Sequence, residues 1–185
     1  MPDQQWLPIV KLALIIAGNV NMKLTQYSDL GFRLMMYLAM CNNKIVTIQE
    51  VSDRFAISKN HLVKISHELT KSGLIESVRG RNGGVRLALP PEIINLEMIL
   101  RVTEDGFDLV ECFDSEHNQC LISEVCKLNS VLDDALEAFF VELRKVSLAD
   151  LAKDASQIES ALMPFSGTSI VKFYKSIAKP ICVVK

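Results

Sequence analysis

Hydrophobic residues recur at helical spacing in three consecutive stretches between residues 25 and 73. Within Thr25–Met40, one predicted helix face carries the apolar residues Tyr27, Leu30, Leu34 and Leu38. A second, short helix is predicted after Thr47, which forms a capping box with Glu50. The third begins after Ser58 as its cap and ends at Gly73, since glycine readily adopts the left-handed conformation that closes a helix. Three helices in this order are typical of a helix-turn-helix unit.

Alternating apolar residues after Gly73 predict two short β-strands, LIESVRG and GVRLALP. The connection between them contains Asn82–Gly83, a dipeptide that favours a tight hairpin turn. Pro90 and Pro91 end the second strand. A helix-turn-helix followed by such a hairpin predicts a winged helix-turn-helix, in which the hairpin is the wing.

A long amphipathic helix is predicted in the second half of the chain, after a connecting helix that ends at Gly106. Its apolar positions repeat at spacings of three and four over more than four turns: Leu128, Val131, Leu132, Ala135, Leu136, Phe139, Phe140 and Leu143. Such a stripe forms either the spine of a domain core or a dimer interface. Because a small winged helix has little core left to cover, the pattern favours a dimerisation helix. A short helix capped by Ser147 and Asp150 follows. The predicted fold is thus mainly α with a small β-hairpin wing.

Charge is distributed unevenly, although the net charge is only −2. Ser58–Arg86 contains six Lys or Arg and two Glu, whereas Glu92–Asp154 contains five basic and fifteen acidic residues. The basic part coincides with the third helix and the wing, which predicts binding to double-stranded DNA. A helix-turn-helix fragment with no nucleic-acid role is the less favoured alternative. The predicted contacts are Lys59, Asn60, His61 and Lys64 on the helix and Arg79, Arg81, Asn82 and Gly83 on the wing.

The cysteine segment, Glu111–Leu128, places three of the five cysteines within fifteen residues: Cys112, Cys120 and Cys126. Their neighbours are polar, whereas a structural cysteine normally lies alone among apolar residues. An odd, crowded set is unlike a secreted disulfide framework, so we expect a protein of the reducing cytoplasm. Thiolates at these spacings suit an iron–sulfur cluster or zinc, with thiol redox chemistry as the alternative. A fourth ligand must come from elsewhere in the chain or from a partner.

Residues 1–21 are apolar, but their unbroken run is too short to span a bilayer and lacks the basic start of a signal peptide. We therefore expect no membrane association; a natural start at Met22 is what the family resemblance described below implies. The predicted organisation is an extension of doubtful status (1–21), a winged helix-turn-helix DNA-binding domain (22–90), a cluster-binding loop with the dimerisation helix (91–154) and a C-terminal tail (155–185). The sequence offers no convincing catalytic constellation, so we do not expect an enzyme.

Five stretches together carry a family resemblance: MKLTQYSDLGFR (22–33), SKNHLVKI (58–65), VRGRNGGVRL (78–87), the cysteine segment, and SLADL (147–151). They resemble the Rrf family of bacterial transcription regulators, and within it the nitric-oxide-sensing iron–sulfur repressors. The resemblance implies a homodimer with crossing long helices that binds a palindromic operator. It also implies that each cysteine segment holds an iron–sulfur cluster, with 4Fe-4S favoured over 2Fe-2S. Nitric oxide would attack the iron and lower the affinity for DNA.

The fourth ligand that the resemblance implies is an aspartate of the first helix, given by the partner subunit. The matching residue here is Asp29. Judged from the residues alone, Asp29 and Arg33 lie four apart and would form an ordinary surface ion pair. Cluster-assembly regulators of the same family have a histidine three residues after the third cysteine, where this chain has Asn129, a poor ligand for iron.

One departure from the family pattern keeps alternatives open. Seven residues separate Cys112 from Cys120, more than the family usually has, and this spacing lets His117 reach a metal. A Cys₃His zinc site or a thiol switch on the same fold is therefore an alternative, as is a regulator of cluster assembly or redox state. An iron–sulfur electron carrier with a winged fold is the rival from another class, and the basic helix and wing disfavour it.

Overall fold

The computed structural model describes residues 23–162 except 43, 82 and 115. In chain order, the elements of this part are α1 (Gln26–Met40), α2 (Ile48–Phe55), α3 (Lys59–Lys71), β1 (Ile75–Val78), β2 (Gly84–Leu87), α4 (Leu96–Thr103), α5 (Lys127–Arg144), α6 (Leu148–Ala152) and α7 (Ala155–Leu162). The two strands pair antiparallel, so the predicted helical fold with a hairpin wing is confirmed. The predictions for residues 1–21, Met22, Asn82 and the tail beyond residue 162 lie outside the described residues.

The starts of α2 and α3 each differ from prediction in one respect. Thr47 Oγ1 accepts the Glu50 N–H at 3.1 Å, but the Glu50 carboxylate accepts a hydrogen bond from the Tyr37 hydroxyl at 2.8 Å. The predicted capping box is therefore only half right, because a tertiary bond to α1 takes the carboxylate. Ser58 precedes α3 as predicted, yet its hydroxyl makes no capping bond.

The last two helices differ in how well the sequence predicts them. Ser147 and Asp150 form a complete capping box at the start of α6, which confirms the predicted short helix. The first part of the segment predicted as a C-terminal tail (155–185) is instead helical, since α7 spans Ala155–Leu162. The stretch contains neither Gly nor Pro, and its residues tolerate a helix without a long apolar stripe.

One apolar core runs from α1 through α3 and the wing to α4 and α6. Each of these elements contributes fully buried side chains, among them Leu34, Leu69, Ile75, Ile99 and Leu148. The chain returns to this core after α5 through a backbone hydrogen bond of 2.7 Å, in which the Leu148 N–H donates to the Ile94 carbonyl. Residues on both sides of position 90 therefore share the core.

Helices α1 and α4 approach each other closely at Gly31. A Cβ at this position would lie 2.8 Å from Thr103 Cγ2, so even alanine would force the Thr103 side chain or one of the two helices to shift. Thr103 is buried, and its hydroxyl donates to the Ile99 carbonyl at 3.0 Å. Because Thr103 is the last residue of α4, this contact fixes the point from which the chain leaves the core towards the cysteine segment.

Helix α5 contacts the rest of the chain through its C-terminal half. The buried ring of Phe140 packs edge-on against Phe107, with centroids 4.7 Å apart, and the Arg101 guanidinium lies 4.0 Å from the Phe140 centroid. All of α5 is described, and Phe140 is its only buried side chain. Among the described residues of the predicted apolar stripe, Leu128, Val131 and Ala135 stay exposed, and four others are only half-buried.

Among the helices described here, none is both long and apolar enough to cross a membrane.

A buried carboxylate joins α4 to α5. Glu97, which is 7% exposed, accepts hydrogen bonds from Arg144 Nε at 2.5 Å, Arg144 Nη2 at 2.9 Å and Arg101 Nε at 2.9 Å. The bonds from Arg144 are the main cause that lowers the pKa of Glu97 to about 2 from its usual 4.5; burial opposes this shift and Arg101 adds to it.

Acid is therefore expected to weaken the link between α4 and α5. Because the pKa of Glu97 is lower in the folded state, its ionised form stabilises the fold above about pH 4.5, and this contribution is lost as the pH falls towards about 2. Urea unfolding at several pH values should show a smaller loss of stability over this window for Glu97→Gln than for the unmodified chain. Glu142→Gln, at an exposed ion pair on α5, is the control that should behave like the unmodified chain. Equal acid sensitivity of all three proteins would contradict this role of Glu97.

Candidate DNA interface and metal-binding segment

The exposed side of α3 carries the polar residues predicted to contact DNA. Lys59, Asn60, His61 and Lys64 are all exposed, and we call these four residues the reading face. The opposite side of α3 is fixed in the core by fully buried residues, namely Leu62, Ile65 and Leu69. Helix α2 packs across α3, as the first helix of a helix-turn-helix does. The burial of one side thus turns the other outward in the orientation of a recognition helix.

The wing is held against the body of the protein by backbone contacts that only glycine allows. Val46 pairs with Val85 through two hydrogen bonds of 2.9 and 2.8 Å. A Cβ on Gly84 would lie 2.3 Å from the Val46 carbonyl oxygen, and one on Gly83 would lie 2.4 Å from the Val78 carbonyl oxygen. Gly83, predicted as a DNA contact, thus also has a structural reason to be glycine.

The arginines of the wing fall into two groups. Arg79 and Arg81 are exposed at the tip, and neither forms an ion pair with any described residue. Arg86 pairs instead with Glu76, its direct neighbour across the two strands. Asn82, the remaining predicted wing contact, lies outside the described residues. Among the described wing residues, the two tip arginines are therefore the cations available to a phosphate backbone.

The three clustered cysteines lie between α4 and α5, outside the apolar core. Cys112 sits in a short 3₁₀ turn, and Cys126 is the residue that immediately precedes α5. Cys120 lies between them in the sequence, and all three cysteines are half-buried free thiols. Within the described ranges, no group of three or more His, Cys, Asp or Glu side chains lies close enough to hold a metal ion. The donor set therefore suits a soft metal or a cluster, but the segment does not gather its thiols in this structure.

The long interval between Cys112 and Cys120 is folded by its own side chains. Asp114 Oδ1 accepts the His117 N–H at 3.2 Å, and Asp114 Oδ2 lies 2.7 Å from His117 Nδ1. The bond to the His117 ring is the main cause that holds the pKa of Asp114 below its ordinary value. The pair leaves His117 Nε2 as the ring nitrogen that could face a further partner. The additional residues thus form a closed turn.

Asp29 forms the surface ion pair that its spacing predicts. Its Oδ2 lies 2.8 Å from Arg33 Nη2, and the side chains are 53% and 44% exposed. Both lie on the first turns of α1 and away from the core. The carboxylate is thus accessible to a partner, and its role as a metal ligand stays a prediction.

The start of the connection that carries the cysteines is anchored to the DNA-binding helices. Glu104 Oε1 accepts hydrogen bonds from the Thr25 N–H at 2.8 Å and the Thr25 hydroxyl at 3.1 Å. Thr25 is the N-cap of α1, four residues before Asp29. Three residues after Glu104, the ring of Phe107 packs on α5. The chain is therefore held at two points, one on the DNA-binding unit and one on the long helix.

Sequence reasoning missed both anchors. Thr25 could have been recognised as a helix cap from its position, but Glu104 is 79 residues away and no local pattern connects the two. Phe107 lies outside the apolar stripe of α5 and belongs to none of the predicted elements. Contacts of this kind become visible only when α1, α4 and α5 are packed together.

The helix-turn-helix has one side buried in the core and one polar side exposed, and the wing packs beside it. These features together define a winged-helix DNA-binding transcription regulator. The chain belongs to the Rrf2 family, described as iron-dependent transcriptional regulators, whose sequence profile matches residues 24–154. This confirms the family predicted from the sequence. Members of the family are regulators rather than enzymes, in agreement with the sequence prediction.

Individual relatives support the same assignment. The chain is 45% identical over 142 residues to the HTH-type transcriptional regulator NsrR of Bacillus licheniformis, which covers 76% of this chain and 99% of that protein. Its identity to NsrR of Bacillus subtilis is 43% over 142 residues, or 76% and 97% of the two chains. The solved structure of T. potens IscR is similar with a TM-score of 0.60 and 25% identity, and the match covers 84% of this chain and 99% of IscR.

Proposed function

We propose that the chain is a homodimeric repressor that binds a palindromic operator and releases it when nitric oxide destroys an iron–sulfur cluster on the cysteine segment. The observation that carries this proposal is the double anchoring of the connection between α4 and α5. Glu104 ties it to the cap of α1, and Phe107 ties it to α5. A rearrangement of the cysteine segment therefore acts on the DNA-binding unit and on the long helix together.

In the proposed site, the thiolates of Cys112, Cys120 and Cys126 are joined by the carboxylate of the partner subunit's Asp29. When bound, the cluster, with 4Fe-4S favoured, supplies iron that reacts with nitric oxide. The chain supplies three thiolate donors on one segment. It also supplies one exposed carboxylate, which can leave its ion pair with Arg33 and bind a metal instead. Free thiols of this kind persist in a reducing compartment, which supports action in the cytoplasm.

The proposed dimer rests on the exposed and half-buried part of the apolar stripe of α5. Leu128 and Val131 are each 60% exposed, and further along the helix Leu132, Leu136, Phe139 and Leu143 are only half-buried. Apolar residues repeating at this spacing are covered when the same face of a second helix packs against them. A two-fold dimer would present two reading faces, which matches the two half-sites of a palindromic operator.

A zinc-bound form is the second candidate, and the turn at Asp114 favours it. A carboxylate that holds one ring nitrogen of a histidine commonly orients the other nitrogen towards zinc. His117 is held in this way by Asp114 at 2.7 Å. The fourth ligand would then be His117 Nε2, in a Cys₃His set within one subunit.

Anaerobic purification with an absorbance spectrum and iron and sulfide counts tests the proposed function. We expect a coloured protein with stoichiometric iron and sulfide that binds operator duplex and releases it when nitric oxide is added. A colourless protein with one zinc per subunit would support the second candidate instead. A coloured protein that fails to bind any duplex under reducing, anaerobic conditions would contradict the proposed repressor.

The fourth ligand can be assigned with a mixed dimer of an Asp29→Ala chain and a Cys120→Ala chain. Ligation across the dimer leaves one complete site, so this dimer should hold about one wild-type-like cluster, whereas ligation within one chain predicts none. Arg33→Ala is the matched control, because it breaks the ion pair but keeps the carboxylate, and it should retain the cluster. If Asp29→Ala leaves the spectrum unchanged, Asp29 is only the ion-pair partner of Arg33.

A further inference from the structure

The apolar stripe of α5 continues backwards into the cysteine segment. Leu121 is fully exposed, Val125 is 82% exposed and Ile122 is 58% exposed, immediately before α5 begins at Lys127. A contiguous apolar surface of this kind usually marks an interface. Pairing of two α5 helices would cover Leu128 and the residues after it, but it would not by itself cover the stretch Leu121–Val125, which precedes the helix.

The packing of α5 directs this stretch away from its own chain. Arg144 meets Glu97 at the start of α4, whereas Phe140 meets Arg101 further along α4, so the two helices run antiparallel. Followed backwards from Phe140, α5 therefore continues past the end of α4. At 1.5 Å per residue, Lys127 lies about 20 Å beyond Phe140 along the helix axis. The stretch Leu121–Val125 is thus presented to a neighbour rather than to its own core.

A receiving surface lies beside the reading face. A groove of about 420 Å³ opens between the first turn of α1 and α3, and it is lined by Tyr27, Val63, Lys64, His67 and Glu68. Tyr27 and Val63 give it apolar walls, and Val63 is 47% exposed although it lies on the predicted recognition helix. Lys64 adds a cation, while Glu68 lies near His67 at 3.4 Å and Lys71 at 3.9 Å.

The stretch and the groove match in polarity, and Lys64 offers the acidic stretch a cation, while the groove's own carboxylate, Glu68, already lies 3.9 Å from Lys71. Residues 111–126 contain four carboxylates and no Lys or Arg. One of them, Glu124, lies between Ile122 and Val125, so an anion would enter the groove together with apolar side chains. A phosphate backbone would use Lys64 but would gain little from the exposed apolar walls. The chemistry of the groove therefore fits an acidic, apolar peptide segment better than DNA alone.

We propose that residues Leu121–Val125 of one copy dock in the groove between α1 and α3 of a second copy. This inference rests on the proposed dimer and adds the contact by which one subunit's cysteine segment reaches the other subunit's recognition helix. Lys64 belongs to both the groove and the reading face. The docked segment therefore competes with operator DNA for Lys64, and a cysteine segment that no metal holds opposes DNA binding.

Site-specific cross-linking on the full chain tests the docking. A benzophenone amino acid at Val63 is irradiated in the metal-free, reduced protein, prepared as a mixture of isotopically light and heavy chains. We expect light–heavy products that join position 63 to the peptide containing Leu121–Val125, and most of this yield should disappear with excess operator duplex. Benzophenone at Ile93, which is 58% exposed, is the control and should not label that peptide.

The outcomes separate this inference from the dimer on which it rests. A dimer by sedimentation without the expected cross-link, or with the cross-link only inside one chain, overturns the docking and leaves the proposed dimer intact. A monomer by sedimentation overturns the proposed dimer itself. A cross-link between chains that persists at saturating operator overturns the competition for Lys64. Leu121→Ser together with Val125→Ser should remove most of the cross-link, and an unchanged yield would also overturn the docking.

Discussion

Replacing any one of Cys112, Cys120 and Cys126 by alanine is expected to abolish iron binding while the protein stays folded. Each replacement removes one of three thiolates from the proposed site, and no other cysteine lies in the cysteine segment. The three thiols are only half-buried and lie outside the apolar core. Loss of one should therefore change the stability of the metal-free protein by no more than about 0.5 kcal/mol, as for other surface changes. Iron content and urea unfolding of the metal-free chain measure the two effects separately.

Cys126 offers a sharper version of the same experiment. It occupies the N-cap position of α5, with an extended backbone (φ −81°, ψ 110°) and no capping bond from its side chain. Serine is among the preferred residues at this position, and a capping hydroxyl is worth about 1 kcal/mol. Cys126→Ser should therefore lose the iron and yet stabilise the metal-free protein. A change that lowered both quantities would indicate damage to the fold instead of loss of a ligand.

Cys41→Ala is the matched control for these cysteine variants. Cys41 is fully buried in the core, so its replacement should cost about 1 kcal/mol of stability, as a small core deletion does, and should leave the iron in place. Full iron content in Cys120→Ala would show that the cysteine segment is not the site. Loss of iron in Cys41→Ala at unchanged stability would point to the same conclusion.

Removing Arg81 or Asn60 is expected to weaken operator binding in two different ways. Arg81 is an exposed cation at the wing tip, so Arg81→Ala should weaken binding to all duplexes and reduce the slope of log K against log salt by about 0.9. Asn60 lies on the reading face, where an amide can contact a base edge. Asn60→Ala should therefore cost about 1–3 kcal/mol on the operator and relax the preference at one base pair.

Two neighbouring cations serve as controls for these DNA-binding variants. Arg86→Ala removes an arginine of the same wing that already pairs with Glu76, so its salt slope should change less than that of Arg81→Ala. Lys71→Ala removes a lysine from the last turn of α3, outside the reading face, and should leave base preference unchanged. Binding isotherms at several salt concentrations measure both effects. Unchanged affinity in both Arg81→Ala and Asn60→Ala would mean that DNA binds elsewhere.

Periodicity predicts the elements of this fold well because their signals are local. The spacing of Leu30, Leu34 and Leu38 marks one side of α1, and each of these side chains is buried. Gly73 ends the third helical unit with φ +78°, the left-handed conformation expected from its position. The capping box of Ser147 is likewise contained within four residues. Such features depend on neighbours three or four positions away, which the sequence displays directly.

The candidate site is predictable in its residue types but not in its contacts. The sequence identifies Cys112, Cys120 and Cys126 by their crowding, and it identifies the basic helix and wing by their charge. It assigns Glu50 to a capping box, whereas the folded chain gives that carboxylate to Tyr37. The difference arises because α1 and α2 pack side by side, and a tertiary hydrogen bond outweighs the local one.

The first six helices, the wing, the basic surface and the clustered thiols of this regulator can be predicted from sequence, since each follows from residues close together in the chain. The folding of distant elements against each other is what lets Thr25 donate hydrogen bonds to Glu104 and lets Phe107 pack on Phe140. Strand pairing likewise gives Arg86 the partner Glu76, whereas Arg81 forms no ion pair with any described residue. These contacts join residues that are distant in the sequence and are brought together by burial of a shared core. How the elements align in that core depends on the shapes of many side chains at once, so no single stretch of sequence encodes it.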